Sequence, residues 1–242
     1  MGVLTGKGAV VTGGSRGIGR AVVERLARDG ARVVFGYARD ASAAAEVEQS
    51  TGAHGVQADL AEPGAVEELF KRAEEHLDGL DILVNNAAAG FTPPPLAEVT
   101  EDDYDRLMTV NTKAVFLALR YAARHMRDGG RIITLSTLNT IRPAPGGGVY
   151  IGSKGAVEQF TAVAAVELGA RGITANVVSP GATDTDLLRS TNSPEGLAMA
   201  ARMSPLGRLG QPADVADVIA FLAGPDGRWL TGQNLHATGG IG

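Results

Sequence analysis

Thr12-Gly13-Gly14-Ser15-Arg16-Gly17-Ile18-Gly19 follows a short apolar run, residues 9–12, and opens a segment of helical periodicity, residues 18–28. A strand, a glycine turn and a helix in that order make an anion site. Residues without side chains let the backbone approach phosphates, while free N–H groups and the positive helix end stabilise their charge. Placement between strand and helix, more than the glycines themselves, points to a dinucleotide pyrophosphate. Gly13, Ser15, Arg16, Gly17, Ile18 and Gly19 are the candidate contacts.

Working outward, short β-branched runs recur at 32–35, 55–57, 81–84, 131–135, 173–178 and 234–236, which with the first predicts seven strands. Between them, 65–76, 104–126, 149–170 and 212–222 have helical spacing. Strict alternation implies an α/β fold. We expect a Rossmann-type, doubly wound parallel seven-stranded sheet with helices on both faces, formed as a single domain over 1–242. Ligands then bind beyond the carboxyl ends of the strands. The proline clusters at 93–95 and 143–148 are short enough to be loops.

Composition agrees. The 242 residues, 44% hydrophobic, suffice for one large core, and 33 glycines against 5% aromatics suit many tight strand-to-helix turns. A net charge of −5 without a basic run argues against nucleic acid or a membrane surface as partner. The absence of cysteine excludes disulfides and thiolate metal sites, and four scattered histidines do not suggest a metal site. No signal-peptide pattern and no apolar run of transmembrane length is seen, so a cytoplasmic protein is expected.

Further along stand Asn85-Asn86-Ala87-Ala88 after the fourth run, Asn111 within a helical segment, Tyr150-x-x-x-Lys154, and Pro180-Gly181 after the sixth run. With the spacing Thr-Gly-x-x-x-Gly-x-Gly, this set resembles the short-chain dehydrogenase/reductase family in order and spacing over essentially the whole chain. The resemblance implies a nicotinamide-dependent oxidoreductase acting on a carbonyl or alcohol. It also implies that Asp59 and Leu60 flank the adenine, that Asn86, Ala87 and Ala88 lie against the ribose, that Pro180 and Gly181 are among the cofactor contacts, and that Thr183 and Thr185 hold the carboxamide.

The end of the second strand selects the cofactor. An NAD enzyme usually places a carboxylate there to accept from ribose hydroxyls. This chain has Gly36-Tyr37-Ala38-Arg39 instead. Tyr37, Ala38 and Arg39, with Arg16, favour a 2′-phosphate and hence NADP(H). Asp40 lies beyond the strand and is expected to cap the next helix.

Tyr150 and Lys154, four apart on a helical segment, share a face. A tyrosine with a pKa near 10 is a poor base, and a nearby lysine cation together with an oxidised nicotinamide would stabilise its phenolate. The resemblance implies that Tyr150 exchanges the proton, that Lys154 also holds the nicotinamide ribose, and that Asn111 carries a water in a proton relay. The family usually has a serine thirteen residues before the tyrosine. Here Thr137 stands at that position, preceded by Ser136. Alternation along the strand puts Ser136 on the other side, so Thr137 is the candidate hydroxyl.

Asn111-Thr-Lys-Ala, Gly130-Arg-Ile-Ile and Arg171-Gly-Ile-Thr are similar to the 3-oxoacyl-[acyl-carrier-protein] reductases and related ketoreductases. Docking of an acyl carrier would need basic residues at the site entrance, for which Arg127 and Arg171 are the candidates. Residues 187–205 mix Ser, Asn, Gly and Pro with Leu and Met, as a substrate lid or a surface excursion would. Alanine-rich helical segments would allow close subunit packing, and a homotetramer, or a homodimer, is expected. A regulator that binds NADP(H) without turnover is a rival reading, disfavoured by Tyr150, Lys154 and Asn111. An extended-branch sugar-nucleotide epimerase would need a larger substrate region.

Overall fold

In the computed structural model, which describes residues 2–90 and 94–241, strand and helix alternate from β1 (Gly8–Thr12) and α1 (Gly17–Arg28) onward. There follow β2 (Arg32–Tyr37), α2 (Ala41–Thr51), β3 (His54–Gln57), α3 (Ala65–Glu74) and β4 (Leu80–Asn85). The second half contains α4 (Glu101–Met108), α5 (Ala114–His125), β5 (Met126–Leu135), α6 (Gly148–Leu168), β6 (Thr174–Pro180), α7 (Asp186–Thr191), α8 (Pro194–Met203), α9 (Pro212–Ala223) and β7 (Asn234–Ala237). Pro93 of the first proline cluster lies outside the described residues.

All seven strands join one parallel sheet in the order β3-β2-β1-β4-β5-β6-β7. The order reverses between β1 and β4, which opens a crevice at the carboxyl ends of those two strands. The central strands β1, β4 and β6 are buried along their whole length, as expected of a sheet covered on both faces.

Each face has its own core. Val22, Val23 and Leu26 of α1 and Val215, Ile219 and Leu222 of α9 cover one side with Phe35 and Val11. Leu69 and Phe70 of α3, Val115 and Leu119 of α5 and Val157 of α6 cover the other with Val10, Leu83 and Ile132. Each large apolar side chain among them contributes roughly 1.5–3 kcal/mol on burial.

Two elements depart from the periodic reading. The segment expected as one helix over 104–126 is α4 and α5 joined by a π-helical turn, Thr109–Lys113. That turn contains Asn111, fully buried and anchored outside its own helix. The stretch 187–205 is largely helical, as α7 and α8. Asp40 caps α2 by accepting from the Ala43 N–H at 2.9 Å.

Candidate active site

The glycine turn and the end of β4 are built as one piece. Thr12 Oγ1 accepts from the backbone N–H groups of Asn86 and Ala87, both at 3.0 Å. Asn86 Nδ2 returns bonds to the Thr12 and Gly13 carbonyls, both at 2.9 Å. The Asn86 side chain is thus spent on bracing the turn, and Ala88 just beyond it is exposed. Gly19 is required by space, because a Cβ there would lie 2.0 Å from the Gly13 carbonyl oxygen. Gly17 has φ +56°, and a Cβ on it would lie 3.3 Å from Thr185 Cγ2, so the turn and the segment after β6 face each other across a narrow gap.

Arg16, exposed and extended, is the N-cap residue of α1, while Ser15 is buried and Ile18 packs toward the α1–α9 core. At the end of β2, the Arg39 side chain is 90% exposed and reaches Asp59 Oδ2 at only 3.7 Å. Tyr37 and Ala38 precede it, and Gln57 donates to the Ala38 carbonyl at 3.2 Å. Asp59 also accepts from Ala61 N–H in a turn, and Leu60 packs toward the α3–α5 core. The Arg39 guanidinium thus stays exposed and only loosely held by Asp59.

Beyond β6, the Thr183 hydroxyl donates to the Gly181 carbonyl at 3.0 Å, and Thr185 caps α7 by accepting from Leu188 N–H at 3.3 Å. Pro180 ends β6. Leu187, the second residue of α7, reaches toward Gly90 on the loop after β4, so α7 spans the crevice from the glycine turn to that loop.

Tyr150 lies in the first turn of α6 and Lys154 one turn later. The Tyr150 phenol and Thr137 hydroxyl are hydrogen-bonded, whereas Ser136 turns to the opposite side and donates to Glu158. Burial raises the Tyr150 pKa above its ordinary value of 10.0, and the Thr137 bond opposes that rise. In the protein by itself burial and Thr137, rather than Lys154, set the phenol's pKa. The Lys154 ammonium is 3% exposed, donates to the Leu135 carbonyl at 2.9 Å, and is itself lowered to about 8 by burial.

Asn111 ties the site to the π turn. Its Oδ1 accepts from Ala89 N–H at 2.8 Å, and its Nδ2 donates to Ser153 Oγ at 3.2 Å. Ser153 in turn donates to the Tyr150 carbonyl at 2.7 Å. Ser153 and Glu158 escaped the sequence reading, because their partners are 42 and 22 residues away. Arg127 and Arg171, offered as entrance residues, lie at the amino ends of β5 and β6, opposite Tyr150 in the same chain. They pair with Asp78 and Asp81, and with Asp128, respectively.

The family model described as enoyl-(acyl carrier protein) reductase matches residues 13–242. The chain belongs to the short-chain dehydrogenase/reductase family. Among relatives of this short-chain dehydrogenase/reductase, a versicolorin reductase of Emericella nidulans is 40% identical over 98% of this chain and 96% of its own. The solved structure of the angucycline C-6 ketoreductase LanV with bound NADP superposes with a TM-score of 0.93, at 44% identity, covering 99% of this chain and 96% of that one. A blue fluorescent protein from a metagenomic library, solved with NADPH, gives a TM-score of 0.92 at 42% identity and 98% coverage of both chains. This short-chain dehydrogenase/reductase is an oxidoreductase with the family's seven-stranded parallel sheet.

Proposed function

We propose that this protein reduces a ketone to a secondary alcohol with NADPH, or runs the reverse oxidation, with Tyr150 exchanging the proton. The observation that carries the reading is the Tyr150–Thr137 hydrogen bond, made at the carboxyl edge of the sheet with buried Lys154 one turn further along the same helix.

The residues fit the cofactor. The turn over Gly13, Ser15, Arg16, Gly17, Ile18 and Gly19 receives the pyrophosphate, with the start of α1 supplying N–H groups and a positive end. Arg39 and Arg16 take the 2′-phosphate, and Tyr37 and Ala38 line its approach. Asp59 and Leu60 border the adenine, Asn86, Ala87 and Ala88 the ribose, and Pro180, Gly181, Thr183 and Thr185 the carboxamide. When bound, NADPH supplies the hydride.

The chain's own groups do the rest. A phenol of raised pKa stays protonated near neutrality, which suits a donor to a carbonyl oxygen that is gaining negative charge. The Thr137 hydroxyl donates to the same oxygen and then steadies the phenolate left behind. Lys154 holds the nicotinamide ribose and reprotonates Tyr150. Asn111 serves the relay through the backbone of its π turn, since both ends of its carboxamide are already bonded.

The relatives named as ketoreductases favour a free ketone as substrate. A 3-oxoacyl thioester is the second reading, favoured by the acyl-carrier description of the family model. Residues 187–205, bearing exposed Leu187, Met199 and Met203, act as the substrate lid.

Exposed apolar side chains support a homotetramer: Phe116 of α5 touches Phe160 of α6, Val166 of α6 is 83% exposed, and Trp229 before β7 is 95% exposed. No helix among the described residues is long and apolar enough to cross a membrane. A cytoplasmic location fits the chain's composition.

The reading is tested by following NADPH consumption with aryl ketones, diketones, 3-oxoacyl thioesters and an enoyl thioester. Oxidation of NADPH with the ketones supports it. Turnover confined to 3-oxoacyl thioesters supports the second reading, turnover confined to the enoyl thioester overturns both, and tight NADPH binding without turnover of any compound leaves only a cofactor-sensing role.

A further inference from the structure

The end of β5 is fastened to α6 by three consecutive residues. The Leu135 carbonyl accepts from Lys154, the Ser136 hydroxyl donates to Glu158, and the Thr137 hydroxyl pairs with Tyr150. Tyr150, Lys154 and Glu158 stand at intervals of four along one helix, so a single face of α6 meets the last residue of β5 and the two that follow it. The first and third of these bonds belong to the candidate catalytic group. The second has no chemical task there.

Glu158 is a half-buried carboxylate, and placing such a group at a helix–sheet contact costs free energy unless it is bonded. Among the described residues its hydrogen-bond partner is Ser136, itself buried, and no cation lies within salt-bridge distance. A charge-assisted bond of this kind is shorter and stronger than a neutral one, and it acts where the strand gives way to the 3-10 turn Leu138–Thr140. Residues on either side of Ser136 supply the donor at position 137 and the carbonyl that seats Lys154. Holding the residue between them fixes both.

We propose that Glu158 is a positioning residue for the reduction: through Ser136 it sets the placement of Thr137 and of the Leu135 carbonyl relative to Tyr150 and Lys154. The inference rests on the proposed carbonyl reduction.

The test is steady-state kinetics with NADPH and a turned-over ketone on Ser136→Ala, Glu158→Ala, their double variant and Glu158→Gln. Ser136→Ala and Glu158→Ala are each expected to lower kcat about tenfold, since small misplacements of reacting groups are costly. The ketone KM stays within about twofold, because the tether holds catalytic rather than binding contacts. The double variant is no slower than either single one. Glu158→Gln, whose amide oxygen accepts the same bond, recovers most of kcat. Wild-type kcat in Glu158→Ala, multiplying losses in the double variant, or Glu158→Gln as slow as Glu158→Ala overturns the proposal. Should Glu158→Ala fail to fold, Ser136→Ala and Glu158→Gln decide between the same outcomes. Two controls separate the levels: a parent that turns over no ketone undoes the reduction reading itself, whereas a slow Thr137→Val beside a normal Glu158→Ala undoes only the tether.

Discussion

Thr137 just past β5 and Tyr150 in the first turn of α6 share a hydrogen bond, while Ser136, next to Thr137, faces the other way toward Glu158. The bond brings a second hydroxyl to the one place where a carbonyl oxygen could accept from both. It also gives the phenolate a donor after the proton has left.

Thr137→Val keeps the side chain's shape but removes that donor. It is expected to lower kcat about 100-fold, the usual scale for deleting one donor to a developing oxyanion. Thr137→Ser should retain turnover and accept bulkier ketones, since it loses only a methyl group. Kinetics on the two variants check this, and a Thr137→Val enzyme as fast as the parent would remove Thr137 from the catalytic group.

Arg39 is the exposed cation at the end of β2, loosely paired with Asp59. Arg39→Asp should shift the NADPH/NADH ratio of kcat/KM by about 10- to 100-fold toward NADH, a hydrogen bond to a charged group contributing roughly 1.5–3 kcal/mol. An unchanged ratio would locate 2′-phosphate recognition elsewhere.

Lys154 predicts a dependence of stability on pH. Folding lowers its pKa from 10.5 to about 8, so the unfolded chain binds the proton more tightly than the folded one. Below pH 8 the folded state carries the full cost of a buried ammonium, about 3 kcal/mol at roughly 1.4 kcal/mol per pKa unit. Stability therefore rises as pH climbs through the window from about 8 to 10.5 and the folded lysine discharges first. Lys154→Met abolishes this cost but leaves the Leu135 carbonyl without its donor, a loss of about 1 kcal/mol. The variant should melt about 4–8 °C higher at pH 7, with a margin that shrinks toward pH 10, and should be inactive. A lower Tm at pH 7 would mean that the ammonium stabilises the fold.

Gly19→Ala is expected to abolish NADPH binding and lower Tm, because the new Cβ would meet the Gly13 carbonyl oxygen at 2.0 Å and push the turn open. A fluorescence titration with NADPH reads this directly. Ordinary binding by the variant would show that the turn is not the pyrophosphate site.

Much of this architecture was legible in sequence because parallel strands buried on both faces read as unbroken β-branched runs, and because the glycine turn sits between one of them and a helix. β5 stops at Leu135, so Ser136 and Thr137 lie just past the strand on which the alternation argument stood. The π turn was not. It depends on Asn111 reaching Ala89 and Ser153, contacts that periodicity cannot contain. α2 was marked only by its Asp40 cap, as its run of alanines carries little contrast between faces. Lys154 shows a subtler limit: spacing put it on the same face as Tyr150, yet its ammonium turns to the Leu135 carbonyl, and burial rather than charge governs the phenol.

The central claim is that the Tyr150 hydroxyl supplies the proton for carbonyl reduction. Tyr150→Phe removes that hydroxyl and little else. The decisive measurement is its single-turnover rate of NADPH oxidation with a ketone that the parent reduces, made beside an NADPH titration. The account predicts NADPH binding close to that of the parent and a rate lower by at least about 100-fold. Parent-like turnover in Tyr150→Phe would contradict it.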